Sequence, residues 1–272
     1  MNALIATVIV IGSRARVDEA AAALDEVNDR GGVRRVLISE GTETTASADE
    51  QDTTIRLDGL SPDYVDNAVA WLRLSSLPAV VWWRGGSAEA LARLAHLADR
   101  LVLDTDPADA MWPHAAGLLD QTALTDLHWG MLTRWRSALA HLFDIPQVRA
   151  AASAYTDLEI QAADRAAARL FAGWLRTCLS GAPLNVRFGD APAGGRAPLA
   201  RVRLSGGSGP GLTLRVEDDR TCLEAEVDGA GGARVVPLGS SKLASRFVEE
   251  INVRTRDAAF ERALVAAMET GA

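Results

Sequence analysis

The first place where this chain could do chemistry is Ile11-Gly12-Ser13-Arg14-Ala15, a glycine between an apolar run and a helical segment. Dinucleotide sites begin this way, with three glycines that admit the pyrophosphate and the helix. Only Gly12 is present, so Arg14 and Arg16 would add charge without adding room. Gly239-Ser240-Ser241-Lys242 also precedes a helix, and helix N-termini attract anions. It lacks the upstream glycine of a phosphate loop, and a cap by Ser240 or Ser241 is the simpler reading. The run Ser205–Gly211 is glycine-rich but joins two alternating segments, as a hairpin loop does. Asp104-Thr105-Asp106 follows an apolar run and could hold a cation or cap the segment from Pro107. His96, His114, His128 and His141 have no zinc-like spacing. Asp126 and His128 could form an acid–imidazole pair, but residues two apart on a helix face different ways. No serine or cysteine stands in a nucleophile context beside them, and a cap by Thr125 or Asp126 accounts for the pattern. No catalytic residue, cofactor site or metal site is assigned.

Composition narrows the classes further. The chain has 272 residues, 48% of them apolar, and a formal net charge of −8. Nucleic-acid binders carry a basic face, so that class is disfavoured. The apolar start, Met1–Gly12, is too short to span a membrane and lacks a basic leader, and a buried first strand fits it better. No membrane segment is expected, and cytoplasm is the expected compartment. Cys178 and Cys222 are too few for a disulfide scaffold and read as inert buried thiols.

The elements that must position these residues alternate through the first half. Leu4–Ile11, Val33–Ser39, Thr53–Leu57, Pro78–Trp83 and Leu101–Asp104 read as strands. Helical segments lie between them: Val17–Asn28 with a stop at Gly31-Gly32, Ser61–Leu74, Ser87–Arg100 and Pro107–Leu119. Gly41–Asp52 reads as a solvated loop. A Rossmann-like, mostly parallel sheet with helices on both faces follows. A long helix is expected over Asp126–Phe143, then an edge strand at Asp157–Gln161 and a helix over Ala162–Ser180. From Leu184 to Leu238 short strands separated by glycine-rich turns predict an antiparallel meander, closed by one or two helices over Lys242–Ala267. The expected organisation is an α/β domain at 1–122, a connecting helix at 123–150 and a smaller α+β domain at 151–272.

Five of the seven tryptophans fall between Trp82 and Trp135. Adjacent strand residues face opposite sides, so Trp82 and Trp83 would each fill one helix–sheet layer. Leu77-Pro78-Ala79-Val80-Val81-Trp82-Trp83-Arg84-Gly85 resembles the strand signature of the OpcA family, the glucose-6-phosphate dehydrogenase assembly proteins. So does the second run, in which Thr125, Asp126, Leu127, Trp129, Leu132, Trp135 and Arg136 match. The first aspartate of the family pattern is missing, and Met131 stands where it has an arginine. The resemblance extends weakly through Gly173-Trp174-Leu175, Val236-Pro237-Leu238 and Leu243–Leu264.

That resemblance implies a non-catalytic partner that binds glucose-6-phosphate dehydrogenase and promotes its active oligomer or conformer, in the oxidative pentose phosphate pathway. It needs no cofactor of its own. Trp83, Arg84, Asp126, Trp129, Trp135 and Arg136 are the candidate contact residues, because tryptophan and arginine concentrate at binding hot spots. The alternative is that these rings are simply core. A second reading is a small-molecule sensor or enzyme using the C-terminal edge of the parallel sheet, where Gly12-Ser13-Arg14, Arg84-Gly85-Gly86 and Asp104-Thr105-Asp106 would converge. A third is an interaction module with another client.

Overall fold

The computed structural model describes residues 4–26, 32–48, 53–179, 183–192, 197–217, 221–240, 242–253 and 255–269. They form two compact units: Met1–Leu127 with Lys242–Asp257, and His128–Ser241 with Ala258–Ala272. Among the described residues no helix is long and apolar enough to cross a membrane.

The first unit is built on a seven-stranded sheet. Its strands are β1 (Leu4–Gly12), β2 (Gly32–Glu40), β3 (Thr45–Ala48), β4 (Thr54–Leu60), β5 (Ala79–Trp83), β6 (Arg100–Leu103) and β7 (Ala123–Asp126), ordered β3-β4-β2-β1-β5-β6-β7. All neighbours run parallel except β3, which pairs antiparallel with β4 at the edge. The polar segment after Gly41 therefore contains a strand, and its residues 49–52 lie outside the described ones. An exposed threonine- and alanine-rich edge strand carries no apolar alternation to reveal it.

Helices α1 (Arg14–Asp25), α2 (Val65–Leu72), α3 (Ala88–Ala95) and α4 (Trp112–Ala116) connect the strands. The expected stop after α1 at Gly31 lies outside the described residues. The central strands are mostly apolar because helices cover both faces, although β1 buries Thr7 and β2 buries Arg34 and Arg35. Val8, Val10, Val17, Leu24, Trp82 and Val102 belong to one buried cluster, which is completed by a segment from the far end of the chain. That segment is a later helix, Leu243–Asn252, whose Phe247 stacks on Trp82 with centroids 3.8 Å apart and planes at 12°. Burying such a ring contributes about 2–3 kcal/mol by area, and the stacked pair adds roughly 1 more.

The second unit begins in a short turn of helix, α5 (Leu127–Gly130), followed by α6 (Thr133–Leu142) and α7 (Pro146–Ala150). Its sheet contains β8 (Asp157–Ala162), β9 (Asn185–Asp190), β10 (Leu199–Ser205), β11 (Leu212–Val216), β12 (Cys222–Val227) and β13 (Ala233–Pro237), ordered β13-β12-β11-β10-β8-β9. β10 to β13 form the antiparallel meander, and β8 pairs parallel with β9. β8 is thus an interior strand, not an edge; its crossover to β9 is the helix α8 (Arg165–Cys178). Cys178, expected to be buried, is exposed because it falls at the last turn of α8, and Cys222 at the start of β12 is half-buried. The helix Leu243–Asn252 of the first unit is α9, and α10 (Ala258–Glu269) returns to pack on α8 in the second.

The close approach of α10 to α8 depends on Gly173. A Cβ there would meet the Ala263 carbonyl oxygen and lie 2.8 Å from the Ala267 nitrogen. Arg169 Nη2 donates to the Ala267 carbonyl at 3.1 Å on the same seam.

Candidate functional site

In open α/β sheets ligands bind beyond the carboxyl ends of the strands, where the strand order reverses. Here that point lies between β1 and β5, and it brings together Gly12 and Arg84. The Arg84 N–H donates to the Ile11 carbonyl at 2.8 Å, and a Cβ on Gly12 would sit 3.2 Å from the Arg84 Cβ. The Arg84 side chain, only 2% exposed, then fills the crevice. Its Nε donates to Asp104 Oδ2 at 2.7 Å, Nη2 to Glu19 Oε2 at 2.7 Å and Nη1 to the Arg16 carbonyl at 2.5 Å. The guanidinium carbon lies 5.0 Å from the Trp82 ring centroid, and the indole N–H of Trp82 donates to the same Asp104 oxygen at 3.2 Å. Arg16 also reaches Asp104, at 3.4 Å.

A guanidinium satisfied on every side is a structural cation, not a free anion receptor. Asp104 is likewise committed to Arg84, Arg16 and Trp82. In the same turn the Thr105 hydroxyl donates to the Ala108 carbonyl at 3.3 Å. Arg14, mostly exposed, lies 3.9 Å from Asp58. The Asp58 carboxyl is held below its ordinary range, chiefly by the hydrogen bond from Arg56 Nε at 2.7 Å, with further help from the Ser39 hydroxyl at 2.8 Å.

Trp83 is fully buried. Gly86, at φ +134°, makes room for it: a Cβ there would lie 2.7 Å from the ring and 2.6 Å from Glu40 Oε1. Burial pushes the Glu40 carboxyl above its ordinary range.

Thr125 and Asp126 end strand β7, and the helical turn α5 starts at the next residue, Leu127. Asp126 is fully buried and accepts the Trp112 indole N–H at 2.9 Å. The expected helix over Asp126–Phe143 is a strand end, the turn α5, a break at Met131-Leu132 and α6. Threonine and aspartate are good caps, and that local chemistry concealed a strand held by its pairing to β6. His128 Nε2 is 3.3 Å from Asp164 Oδ2. Asp164 in turn caps α8, accepting the Ala167 N–H at 3.0 Å.

In the second unit the break places Arg136 over Trp129. The guanidinium carbon is 3.5 Å from the ring centroid, and Nη2 donates to Thr133 Oγ1 at 3.2 Å. Phe260 on α10 also packs against the Trp129 ring, with centroids 5.7 Å apart. Trp135 is fully buried on α6 with Ala138 and Leu139. Of the six candidate contact residues, Trp83, Arg84, Asp126, Trp129 and Trp135 are buried, and Arg136 is partly exposed.

The other candidate loops are structural. Gly206 and Gly207 adopt positive φ beside Thr156 and Ala154 in the β10–β11 hairpin. The N-cap position of α9 falls on Lys242, two residues past Ser240, and its side chain does not cap the helix but reaches Glu26 at 3.3 Å; Ser241 lies outside the described residues.

A family model for OpcA, described as the C-terminal domain of the glucose-6-phosphate dehydrogenase subunit, matches residues 122–264, just over half of the chain. The chain belongs to the OpcA family. The second tryptophan run lies inside the matched span, and the Trp82-Trp83 strand precedes it. A Synechococcus elongatus protein described as "Putative OxPP cycle protein OpcA" is 28% identical over 200 residues. That alignment takes in 70% of this chain and 40% of the relative, so the chain spans about two fifths of the relative's length.

One exposed aromatic pair lies outside the tryptophan signature. Trp71, on α2, is 89% exposed, and Tyr64, seven residues earlier, is 61% exposed. Val65 and Val69 turn inward between them. An aromatic off the inward stripe of a helix was the available signal.

Proposed function

We propose that this chain is a non-catalytic partner of glucose-6-phosphate dehydrogenase, acting in the oxidative pentose phosphate pathway in the cytoplasm. Membership of the OpcA family carries this reading. The crevice filled by Arg84 supports it over a small-molecule sensor or enzyme at the same edge, since a ligand there would first have to displace a satisfied buried cation. In this mechanism the chain binds the active oligomer or conformer of the dehydrogenase more tightly than the inactive one and so shifts the population. A preference of about 1.4 kcal/mol is a tenfold shift.

Arg136, with exposed Thr133 and Arg134 beside it on α6, is the contact candidate retained from the signature. Trp129 and Trp135 hold that face in place from beneath. Trp83, Arg84 and Asp126 act by keeping the parallel sheet and its connections in shape. Trp71 joins the contact candidates, because a large exposed ring has the most apolar area to bury on binding.

The test is to mix the purified chain with the dehydrogenase of the same cell, then measure complex formation by light scattering and the initial rate of NADP reduction. A defined complex with an increased rate is expected. No complex and no change in rate would remove the proposal.

A further inference from the structure

A cavity lies at the opposite, amino-terminal edge of the parallel sheet, within the first unit. It has a volume of about 350 Å³, within the range of small-molecule sites. Ile5, Leu77, Val80, Ile251 and Val253 supply apolar walls, and Ser75, Ser76, Asp99 and Arg100 supply the polar ones. Ile5 and Val253 are 38% and 40% exposed, leaving apolar surface at the cavity that an occupant would cover.

The charges decide what kind of occupant fits. The charge of Arg100 is already paired: Nη2 donates to Glu250 Oε2 at 2.6 Å and Nη1 to the Thr255 carbonyl at 3.2 Å, which leaves one buried N–H, on Nε, without a partner. Asp99 is exposed, and among the described residues no cation is paired with it. Its Oδ2 accepts one backbone N–H, from Ala79 at 2.8 Å, which leaves Oδ1 open. The available charge at the cavity is therefore negative, beside two serine hydroxyls and an apolar wall.

We propose that this cavity binds a small organic cation: an amine with an apolar body, its ammonium received by Asp99 and its body lying against Leu77, Val80 and Ile251. This site is separate from the Arg84 crevice and does not depend on the proposed partnership with the dehydrogenase.

Phenethylamine and phenylacetate share a ring and nearly the same length and differ in the sign of their charge, so they serve as probes. Each is titrated into the ¹⁵N-labelled chain while the amide signals of Ile5, Leu77, Val80 and Ile251 are followed. Phenethylamine is expected to shift these signals saturably, with Kd on the order of 1 mM for so small a molecule, and phenylacetate to bind about tenfold more weakly or not at all. Asp99→Asn keeps an oxygen for the Ala79 N–H and removes the charge; affinity for phenethylamine should fall about fivefold to tenfold. Val253→Trp, at an already exposed position, should block the cavity and abolish the shifts. Equal or tighter binding of phenylacetate, unchanged affinity in Asp99→Asn, shifts that persist in Val253→Trp, or no saturable shift in the wild type would each overturn the proposal.

Discussion

Replacing Arg84 by methionine tests whether the crevice is held shut by one satisfied cation. Methionine keeps most of the apolar stem and removes three charged hydrogen bonds together with the contact to Trp82. Glu19 is 58% exposed and regains water, so its bond contributes at most about 1 kcal/mol. Asp104 is 13% exposed and loses its 2.7 Å bond to the Arg84 cation while keeping Trp82 and Arg16, at a cost of roughly 2 kcal/mol. The lost face contact adds about 0.5–1 kcal/mol. The total is about 3–4 kcal/mol, which at roughly 2–4 °C per kcal/mol lowers the Tm of the first unit by about 10 °C. Arg84→Lys should recover little, because an ammonium cannot reach Asp104, Glu19 and the Arg16 carbonyl together. Thermal unfolding followed by near-UV circular dichroism reads the change, as the Trp82 ring lies in the affected network. A Tm within about 2 °C of wild type in both variants would refute the reasoning: water would then serve Asp104 as well as Arg84 does.

Gly173→Ala, normally favourable in a helix by about 1 kcal/mol, should instead destabilise the second unit by about 1–3 kcal/mol through overpacking against α10; urea unfolding measures it. Arg100→Met alone should cost about 3–5 kcal/mol by stranding buried Glu250, whereas Arg100→Met with Glu250→Leu should recover most of that loss, a comparison for the same assay. Acid titration separates two carboxylates. Asp58, lowered mainly by Arg56, contributes stability that is full above the ordinary aspartate range and lost as pH falls through its depressed folded value. Asp58→Asn should therefore flatten that acid loss. Glu250 is raised, mainly by burial, so between its unfolded and folded values stability falls as pH rises, and Glu250→Gln should remove that slope. In the proposed partnership Trp71→Ala should weaken the complex about tenfold or more without changing Tm, as isothermal titration and melting together would show.

The sequence by itself determined the fold class, the strands β1, β2 and β5, the meander and the family. These features rest on local signals: an unbroken apolar run marks a strand covered on both faces, alternation marks a half-solvated one, and Val-Val-Trp-Trp is short and rare. Tertiary structure alone decided where the signature residues went. Thr125-Asp126 reads locally as a helix start and is at the same time a strand end, because β6 offers it backbone partners. His128 pairs with Asp164, 36 positions away, and Phe247 crosses 165 positions to stack on Trp82. Arg84 is the sharpest case. Beside two tryptophans and two glycines it reads as a contact residue or a ligand-binding cation, and only the convergence of Glu19 and Arg16 from α1 and Asp104 from the end of β6 makes it the filling of its own crevice. Electrostatic partners distant along the chain leave no local pattern, so chemistry that depends on them becomes visible only once the chain is folded.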